Sequence, residues 1–400
     1  MPDAVIVATG RTPIGRAAKG SLVSCRPDDL AALVIKEVLA KVPKLDPATV
    51  EDCMVGCGQP GGEAGYNVAR VAALLAGLDV PGVTVNRYCS SSLQTIRMAA
   101  HAIRSGEGDV FVAAGVETVS RFQFGASDTG PHNPAFADAE ARTKARAPAV
   151  TEPWAAPKGL PDVYIAMGQT AENVAEYEDV GPAEMDEFAA RSQNLAVESQ
   201  KNGFFEREIV PVTLEDGTVV TKDDGPRPDT TVEVLSSLKP VFREGGTVTA
   251  GNACPLNDGA AAVVVMSATR ASQLGISPLA RIVSSGVSAL NPEIMGLGPV
   301  DACRQALARA GKTVNDIDLV EINEAFAAQI IPSAKHLGID WSKLNVKGGA
   351  IALGHPFGMT GARIMTTLLN ALDDEDKTWG LESMCVGGGQ GMAMVVERLS

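Results

Sequence analysis

Apolar side chains recur along this chain in two rhythms. In residues 29–42 they fall three and four apart, at Leu30, Leu33, Val34, Val38 and Leu39, which predicts a helix with one buried face. An acidic turn at 47–52 follows, and then Cys53-Met-Val-Gly-Cys57, which reads as a strand. The same order returns far downstream: a helix over 299–310 with Ala302, Ala306 and Leu307, a turn at 313–316, and a strand over 317–322. The parallel continues. Asn86-Arg-Tyr-Cys89 precedes a helix carrying Leu93, Ile96, Ala100 and Ile103 on one face, and Gly354-His355-Pro356 precedes one carrying Ile364, Met365, Leu368 and Leu372. Each of these helices leads to a strand, 110–116 in one case and 382–386 in the other. The final strands, 260–265 and 392–397, also correspond. An internal repeat of this kind predicts two similar halves.

The halves differ at one junction. In the second, a Gly-rich turn joins the last two strands directly; in the first, about 130 residues intervene. We therefore expect an N-terminal half from residues 1–121 plus 254–276, an inserted loop domain at 122–253, and a C-terminal half at 277–400. The insertion is richer in Pro and charge, with helical runs near 167–177 and 183–200. Alternating strands and helices predict an α/β fold with mostly parallel sheets, whose sites gather at the carboxyl ends of strands. Cys89 and His355 occupy equivalent turns, so a pseudo-twofold packing of the halves brings them to one cleft.

Composition narrows the function. A chain of 400 residues can bury a large core, and 45% apolar with 20% charged residues is ordinary for a globular protein. A net charge of −14 argues against general nucleic-acid binding but leaves room for an anionic ligand at a local basic patch. Apolar runs stay near seven residues, short of the roughly 20 that a membrane helix needs. The first residues lack a basic stretch before an apolar core, so no signal peptide is expected; Glu397-Arg-Leu-Ser400 is not a Ser-Lys-Leu tripeptide. Seven cysteines, an odd number, form no disulfide framework and fit a reducing, cytoplasmic compartment. No metal is expected: Cys53 and Cys57 have no second ligand pair at finger-like spacing and read as small strand residues packed inward.

Four residues could carry chemistry. Cys89 stands at a helix start, where amide dipoles favour an anion and lower a thiol pKa from its free value of about 8.5; alone, a cysteine is more often inert packing. His355 lies in a stretch, 348–361, with five glycines; read singly it is a structural histidine, and read with Cys89 it makes a thiolate–imidazolium pair. Cys385 adjoins glycines whose bare N–H groups can form an oxyanion pocket, or it simply ends a strand. Asn323 either orients a water or donor amide, or caps a helix.

Taken together, Cys89-Ser-Ser-Ser-Leu-Gln94, Asn323-Glu-Ala-Phe-Ala327, Gly348-Gly-Ala-Ile-Ala-Leu-Gly-His355-Pro356 and Cys385-Val-Gly-Gly-Gly-Gln-Gly391 resemble the thiolase family. With 246–252 and 256–260, the resemblance spans nearly the whole chain. It implies a thiolase fold: two α/β halves about a pseudo-twofold in a five-layer αβαβα arrangement, with an inserted loop domain. It also implies an acyl-accepting Cys89 activated by His355, with Cys385 moving the proton at the α-carbon. Asn323, through a water, and His355 would hold the enolate oxygen; the amides of Cys89 and Gly387 would hold the oxyanion formed on acylation. Coenzyme A is then substrate and product, with no metal or redox cofactor. Its contacts would be Arg227 beside the adenine, Phe242, Ala250, Ala325 and Phe326, with Met167 and Leu160 near the pantetheine. A homodimer or homotetramer is implied as well.

This chain departs from the family pattern in three places, one of them the insertion at 122–160, which matches poorly. Cys254 stands where the family often has Ser, and Ala166 stands where short-chain biosynthetic members have His. Cys89-Ser-Ser-Ser-Leu93 is closer to degradative 3-ketoacyl-CoA thiolases than to biosynthetic members, which tend to read Cys-Gly-Ser-Gly-Leu. The other readings are a biosynthetic acetyl-CoA acetyltransferase, a decarboxylating ketoacyl synthase, and a non-catalytic CoA- or lipid-binding homologue.

Overall fold

The computed structural model describes residues 2–122, 129–147 and 153–400. In chain order, the first half contains β1 (Ala4–Arg11), β2 (Gly15–Arg16), α1 (Pro27–Ala40), β3 (Asp52–Gly56), α2 (Val68–Leu75), β4 (Gly82–Val85), α3 (Ser91–Ser105) and β5 (Val110–Thr118). A long excursion follows: α4 (Ala137–Arg146), α5 (Met167–Tyr177), α6 (Pro182–Lys201), a ribbon of β6 (Val212–Thr213) and β7 (Val219–Val220), and α7 (Val232–Ser236). The chain then returns through β8 (Asn257–Ser267) and α8 (Ala268–Leu274). Next come β9 (Ala280–Ala289), α9 (Gly298–Ala310), β10 (Leu319–Ile322), α10 (Ala327–Leu337), α11 (Ala350–Leu353), α12 (Thr360–Asp374), β11 (Trp379–Val386) and β12 (Gln390–Arg398).

The strands hydrogen-bond in the order β10-β11-β12-β9-β1-β8-β5-β3-β4, with β2 beside β8. The two halves of this order meet where Val5 and Ile6 of β1 pair with Arg281 and Ala280 of β9. The expectation of mostly parallel sheets is overturned. Among the described strands only β3–β4, β3–β5 and β10–β11 run parallel; β5–β8, β1–β8, β2–β8, β1–β9, β9–β12, β11–β12 and β6–β7 are antiparallel. The tight turn at 387–389 makes β11 and β12 a hairpin, and a hairpin is necessarily antiparallel. Gly388 (φ 75°) and Gly389 (φ 77°) take the left-handed conformation that this turn needs. β5 and β8 pair the same way, although the whole excursion separates them. In the second half, β4 has only a reduced counterpart, a parallel bridge from Val320 to Leu344.

Side chains alternate across each strand and sort into three cores. On β5, Val110, Val112, Ala114 and Val116 face outward to α1 and α2, while Phe111 and Ala113 face inward. On β12, Met392, Met394 and Val396 face inward, and Ala393 and Val395 face α9 and α10. The inward faces of both halves close on α3 and α12. Leu93, Ile96, Ala100 and Ile103 of one helix and Ile364, Met365, Leu368 and Leu372 of the other all enter this one central core. Each such buried Leu, Ile or Met side chain contributes about 1.5–3 kcal/mol. The layers are thus helix, sheet, helix, sheet, helix, as expected, with α3 and α12 in the middle.

The excursion is tied to the first half through Arg11, which is fully buried. Its guanidinium donates to Glu208 (2.7 Å) and to both oxygens of Asp223 (2.7 and 2.9 Å), and the Ile14 N–H donates to Asp223 as well (2.8 Å). Among the described residues, no helix is long and apolar enough to cross a membrane.

Candidate active site

Cys89 sits in a single helical turn, Tyr88–Ser90, that runs straight into α3. Tyr88 is held at φ 42°, an uncommon conformation for a side chain of its size, and the turn presents the next residue sharply. Ser91 fixes the geometry: its hydroxyl accepts from the Arg87 N–H (2.9 Å) and donates to the Tyr88 carbonyl (2.6 Å). Arg87 reaches across to the other half, donating to Gln390 Oε1 (2.8 Å). Burial pushes the Cys89 thiol up to about 11, against the pull of N–H donation from Gly387 and from Cys89 itself. The depressed thiol pKa expected from the helix start is therefore corrected. Removal from water outweighs the two N–H donors.

His355 follows Gly354, whose φ of 111° suits glycine; a Cβ there would lie 2.5 Å from the Asn257 side chain. That amide clamps the turn. Asn257 Oδ1 accepts the His355 main-chain N–H (3.0 Å), and Asn257 Nδ2 donates to the Gly15 carbonyl (3.0 Å). On the ring, Nδ1 lies 2.6 Å from Thr360 Oγ1, and the Thr360 hydroxyl donates to the Pro356 carbonyl at 2.8 Å. A hydroxyl has one proton, so Thr360 spends it on Pro356 and accepts from Nδ1–H. The bare lone pair is then on Nε2, a buried atom without a hydrogen-bond partner in the protein. Burial pushes the imidazole pKa down to about 3, and the positive charge of Arg363 acts in the same direction. The resting pair is a neutral thiol and a neutral imidazole, not hydrogen-bonded to each other, which corrects the thiolate–imidazolium pair read from the sequence.

The His355 turn is latched to the first half by Glu117, a residue that the sequence did not single out. Its buried carboxylate accepts N–H groups from Gly58 (2.8 Å), Gln59 (3.1 Å) and Gly358 (2.9 Å). Burial pushes its pKa up to about 7 while those three donors pull it back.

Asn323 ends β10 beside β11. Its N–H donates to the Ser383 carbonyl (2.9 Å), and its own carbonyl accepts from Gln329 Nε2 (2.7 Å). Both atoms of its side-chain amide are buried without a protein partner. Such orphaned groups mark a place for a water or a ligand atom. Cys385 is fully buried two residues further along β11, its thiol pushed well up by burial and then by the nearby Cys89 and Cys254. Cys254 is held by an N–H bond to the Ala325 carbonyl (3.0 Å) next to an Ala253–Phe326 bridge. Three sulfurs thus share one neighbourhood.

A cavity of about 340 Å³ opens onto Cys89. This is within the roughly 300–1,000 Å³ range of ligand pockets. Its walls include Met167, Gly387, Gly388 and Phe357, with Gln59, Tyr88, His132 and Tyr164 supplying polar groups. Phe357 stands edge-on to the His355 ring (5.2 Å) and so joins the histidine turn to this cavity. Of the positions matched to coenzyme contacts, Met167 lines the cavity, and Phe242 packs edge-on against Phe326 (5.9 Å). Ala325 and Phe326 lie beside Cys254. Ala250 is exposed at a turn, Arg227 is exposed with its N–H on Gln193 (2.9 Å), and Leu160 is exposed and outside the walls of the Cys89 cavity. The sequence missed Gln59, Tyr88, His132, Tyr164, Phe357 and Thr360. Phe357 and Thr360 lay inside a motif already quoted, whereas His132 and Tyr164 lie where no periodicity points to them.

Two family models cover the chain: the thiolase N-terminal domain over residues 4–269 and the thiolase C-terminal domain over 276–398. A 3-ketoacyl-CoA thiolase of Bacillus subtilis (strain 168) is 43% identical over 99% of this chain and all of its own length. A 3-oxoadipyl-CoA/3-oxo-5,6-dehydrosuberyl-CoA thiolase of Escherichia coli (strain K12) is also 43% identical, over the full length of both. The crystal structure of the Bacillus anthracis acetyl-CoA acetyltransferase superposes with a TM-score of 0.87 at 38% identity, covering all of this chain and 99% of that one. With two family models over nearly the whole chain and full-length relatives at 43% identity, this chain belongs to the thiolase family.

Proposed function

We propose that this protein is a degradative thiolase, cleaving 3-ketoacyl-CoA with coenzyme A to acetyl-CoA and an acyl-CoA two carbons shorter. The observation that carries the reading is the place of Cys89: it lines a cavity that Phe357, Gly387 and Gly388 of the other half complete. Full-length relatives at 43–44% identity named 3-ketoacyl-CoA thiolases support the degradative direction over acetyl condensation.

The chemistry follows from the neutral resting pair. The Cys89 thiol gives its proton to Nε2 of His355 as the sulfur attacks the 3-keto carbon. The oxyanion that forms is met by the N–H groups of Cys89 and Gly387. The bond between C2 and C3 breaks, leaving an acyl-Cys89 thioester and the enolate of acetyl-CoA. His355, now protonated, and a water on Asn323 stabilise the enolate oxygen, and Cys385 delivers a proton to the carbon. Free coenzyme A then gives its thiol proton to the Cys385 thiolate and attacks acyl-Cys89; the thioester bond to Cys89 breaks, the shortened acyl-CoA leaves, and Cys89 recovers its proton from His355. Coenzyme A is substrate and product throughout, and no further cofactor enters. Met167, Leu160, Arg227, Phe242, Ala250, Ala325 and Phe326 are assigned to its binding. On the same reading, residues 122–253 form a loop domain over the junction of the halves 1–121 plus 254–276 and 277–400, in a cytoplasmic homodimer or homotetramer.

The test is thiolysis across a 3-ketoacyl-CoA length series, with Cys89→Ala as control. Wild type is expected to cleave chains longer than four carbons and to show an acyl mass increment on the peptide carrying Cys89 when coenzyme A is withheld. Activity confined to acetoacetyl-CoA would overturn the degradative assignment, and activity surviving in Cys89→Ala would overturn the nucleophile.

A further inference from the structure

The turn that carries Gly387 is made of three glycines, 387–389, between the paired residues Val386 and Gln390 of β11 and β12. Gly388 and Gly389 both stand at positive φ, and a run of glycines has little stiffness of its own. Two contacts from the other half hold this turn. The Tyr88 ring lies against Gly387, where an added Cβ would stand 3.4 Å from it. The second contact is a chain of hydrogen bonds. Arg87 Nη1 donates to Gln390 Oε1 (2.8 Å), and Gln390 Nε2 donates to the Gly387 carbonyl (3.3 Å). A guanidinium only donates and a carbonyl only accepts, so the amide between them fits in one orientation. Arg87 is itself pinned, with Nε on Gln94 Oε1 (3.1 Å) and its main-chain N–H on Ser91 Oγ (2.9 Å).

We propose that Gln390 and Arg87 are positioning residues for the oxyanion pocket. The proposal rests on the thiolase reading, in which the N–H groups of Cys89 and Gly387 meet one oxygen. Those two donors stand on different halves, so a hydrogen-bond chain between the halves sets their separation. Arg87 leads into the turn of Cys89, and Gln390 closes the turn of Gly387. Neither side chain needs to touch the reacting atoms. The Gly387 carbonyl that Gln390 holds shares its Cα with the Gly387 N–H, so fixing one plane steadies the other. With the amide gone, the glycine turn is free to shift. A displaced donor leaves binding of the flat 3-keto group almost unchanged, because its full strength is needed only when the tetrahedral oxyanion forms. The loss therefore falls on kcat rather than on KM.

The experiment measures kcat and KM for thiolysis of acetoacetyl-CoA and 3-oxohexanoyl-CoA by the full chain and its variants. Gln390→Met keeps the length of the side chain and removes both bonds; Gln390→Glu keeps the acceptor for Arg87 and removes the donor to Gly387. Each is expected to lower kcat about 10- to 100-fold, with KM changed by less than about threefold. Arg87→Met is expected to lose about tenfold in kcat, and Arg87→Lys, which keeps a donor, to recover most of it. The double variant Arg87→Met with Gln390→Met is expected to be no slower than Gln390→Met alone, because both act through one chain of bonds. A kcat within about threefold of wild type in both Gln390 variants, a loss carried by KM, or losses that multiply in the double variant overturns the proposal. If wild type cleaves neither thioester, the thiolase reading itself fails, an outcome distinct from equal cleavage by wild type and the Gln390 variants.

Discussion

Thr360 shows how much of the site is decided by a single hydrogen atom. Its hydroxyl proton goes to Pro356, which obliges His355 to keep a proton on Nδ1 and to offer its lone pair at Nε2. Thr360 does not touch the reacting atoms in this scheme; it is a positioning residue for the base. Thr360→Val keeps the shape, removes the acceptor and frees the ring to choose the other tautomer. We expect kcat to fall on the order of 100-fold with KM little changed, and Thr360→Ser to recover most of it. A Val variant with full kcat in a steady-state assay would remove Thr360 from the mechanism. At this scale the sequence was partly legible. Cys89, His355, Cys385 and Asn323 could be singled out because each sits in an unusual run of small or polar residues. The protonation of Cys89 and His355 could not, because it depends on burial, and burial is a property of the assembled layers.

Among the elements, the repeat was plain because a helix face needs only local spacing. Leu93, Ile96, Ala100 and Ile103 announced one central helix, and Ile364, Met365, Leu368 and Leu372 the other. Sheet direction was not plain, since β5 finds β8 across some 140 intervening residues and nothing in either strand names its partner. The anchor of the excursion was equally hidden. Arg11, Glu208 and Asp223 look like ordinary surface charges until the fold buries all three together. Arg11→Ala strands two carboxylates away from water. We expect it to cost about 3–5 kcal/mol, read from the shift in a urea unfolding curve. A loss below about 1 kcal/mol, the usual worth of an exposed ion pair, would show that the excursion is held by other contacts.

For the whole molecule, the decisive fact is that the middle layer belongs to both halves. α3 and α12 enter one core with the inward faces of all the central strands, so neither half has a complete interior alone. Heating is therefore expected to give a single calorimetric transition. Two resolved transitions would mean that each half is stable without the other. The same sharing explains the site: the nucleophile's turn and the histidine's turn stand at the ends of the two helices that meet there.

The neighbours of β1 carry a further consequence, one for synthesis on the ribosome. Among the described strands, residues 4–11 pair along their length only with residues 261–267 and 280–281. At translation rates of about 5–20 residues per second, this gap lasts on the order of 10–50 s. Throughout that interval the emerging chain carries an apolar ribbon with both edges open. Newly made polypeptide of this kind invites chaperone holding, and slowing the ribosome upstream of residue 257 should raise the fraction that aggregates.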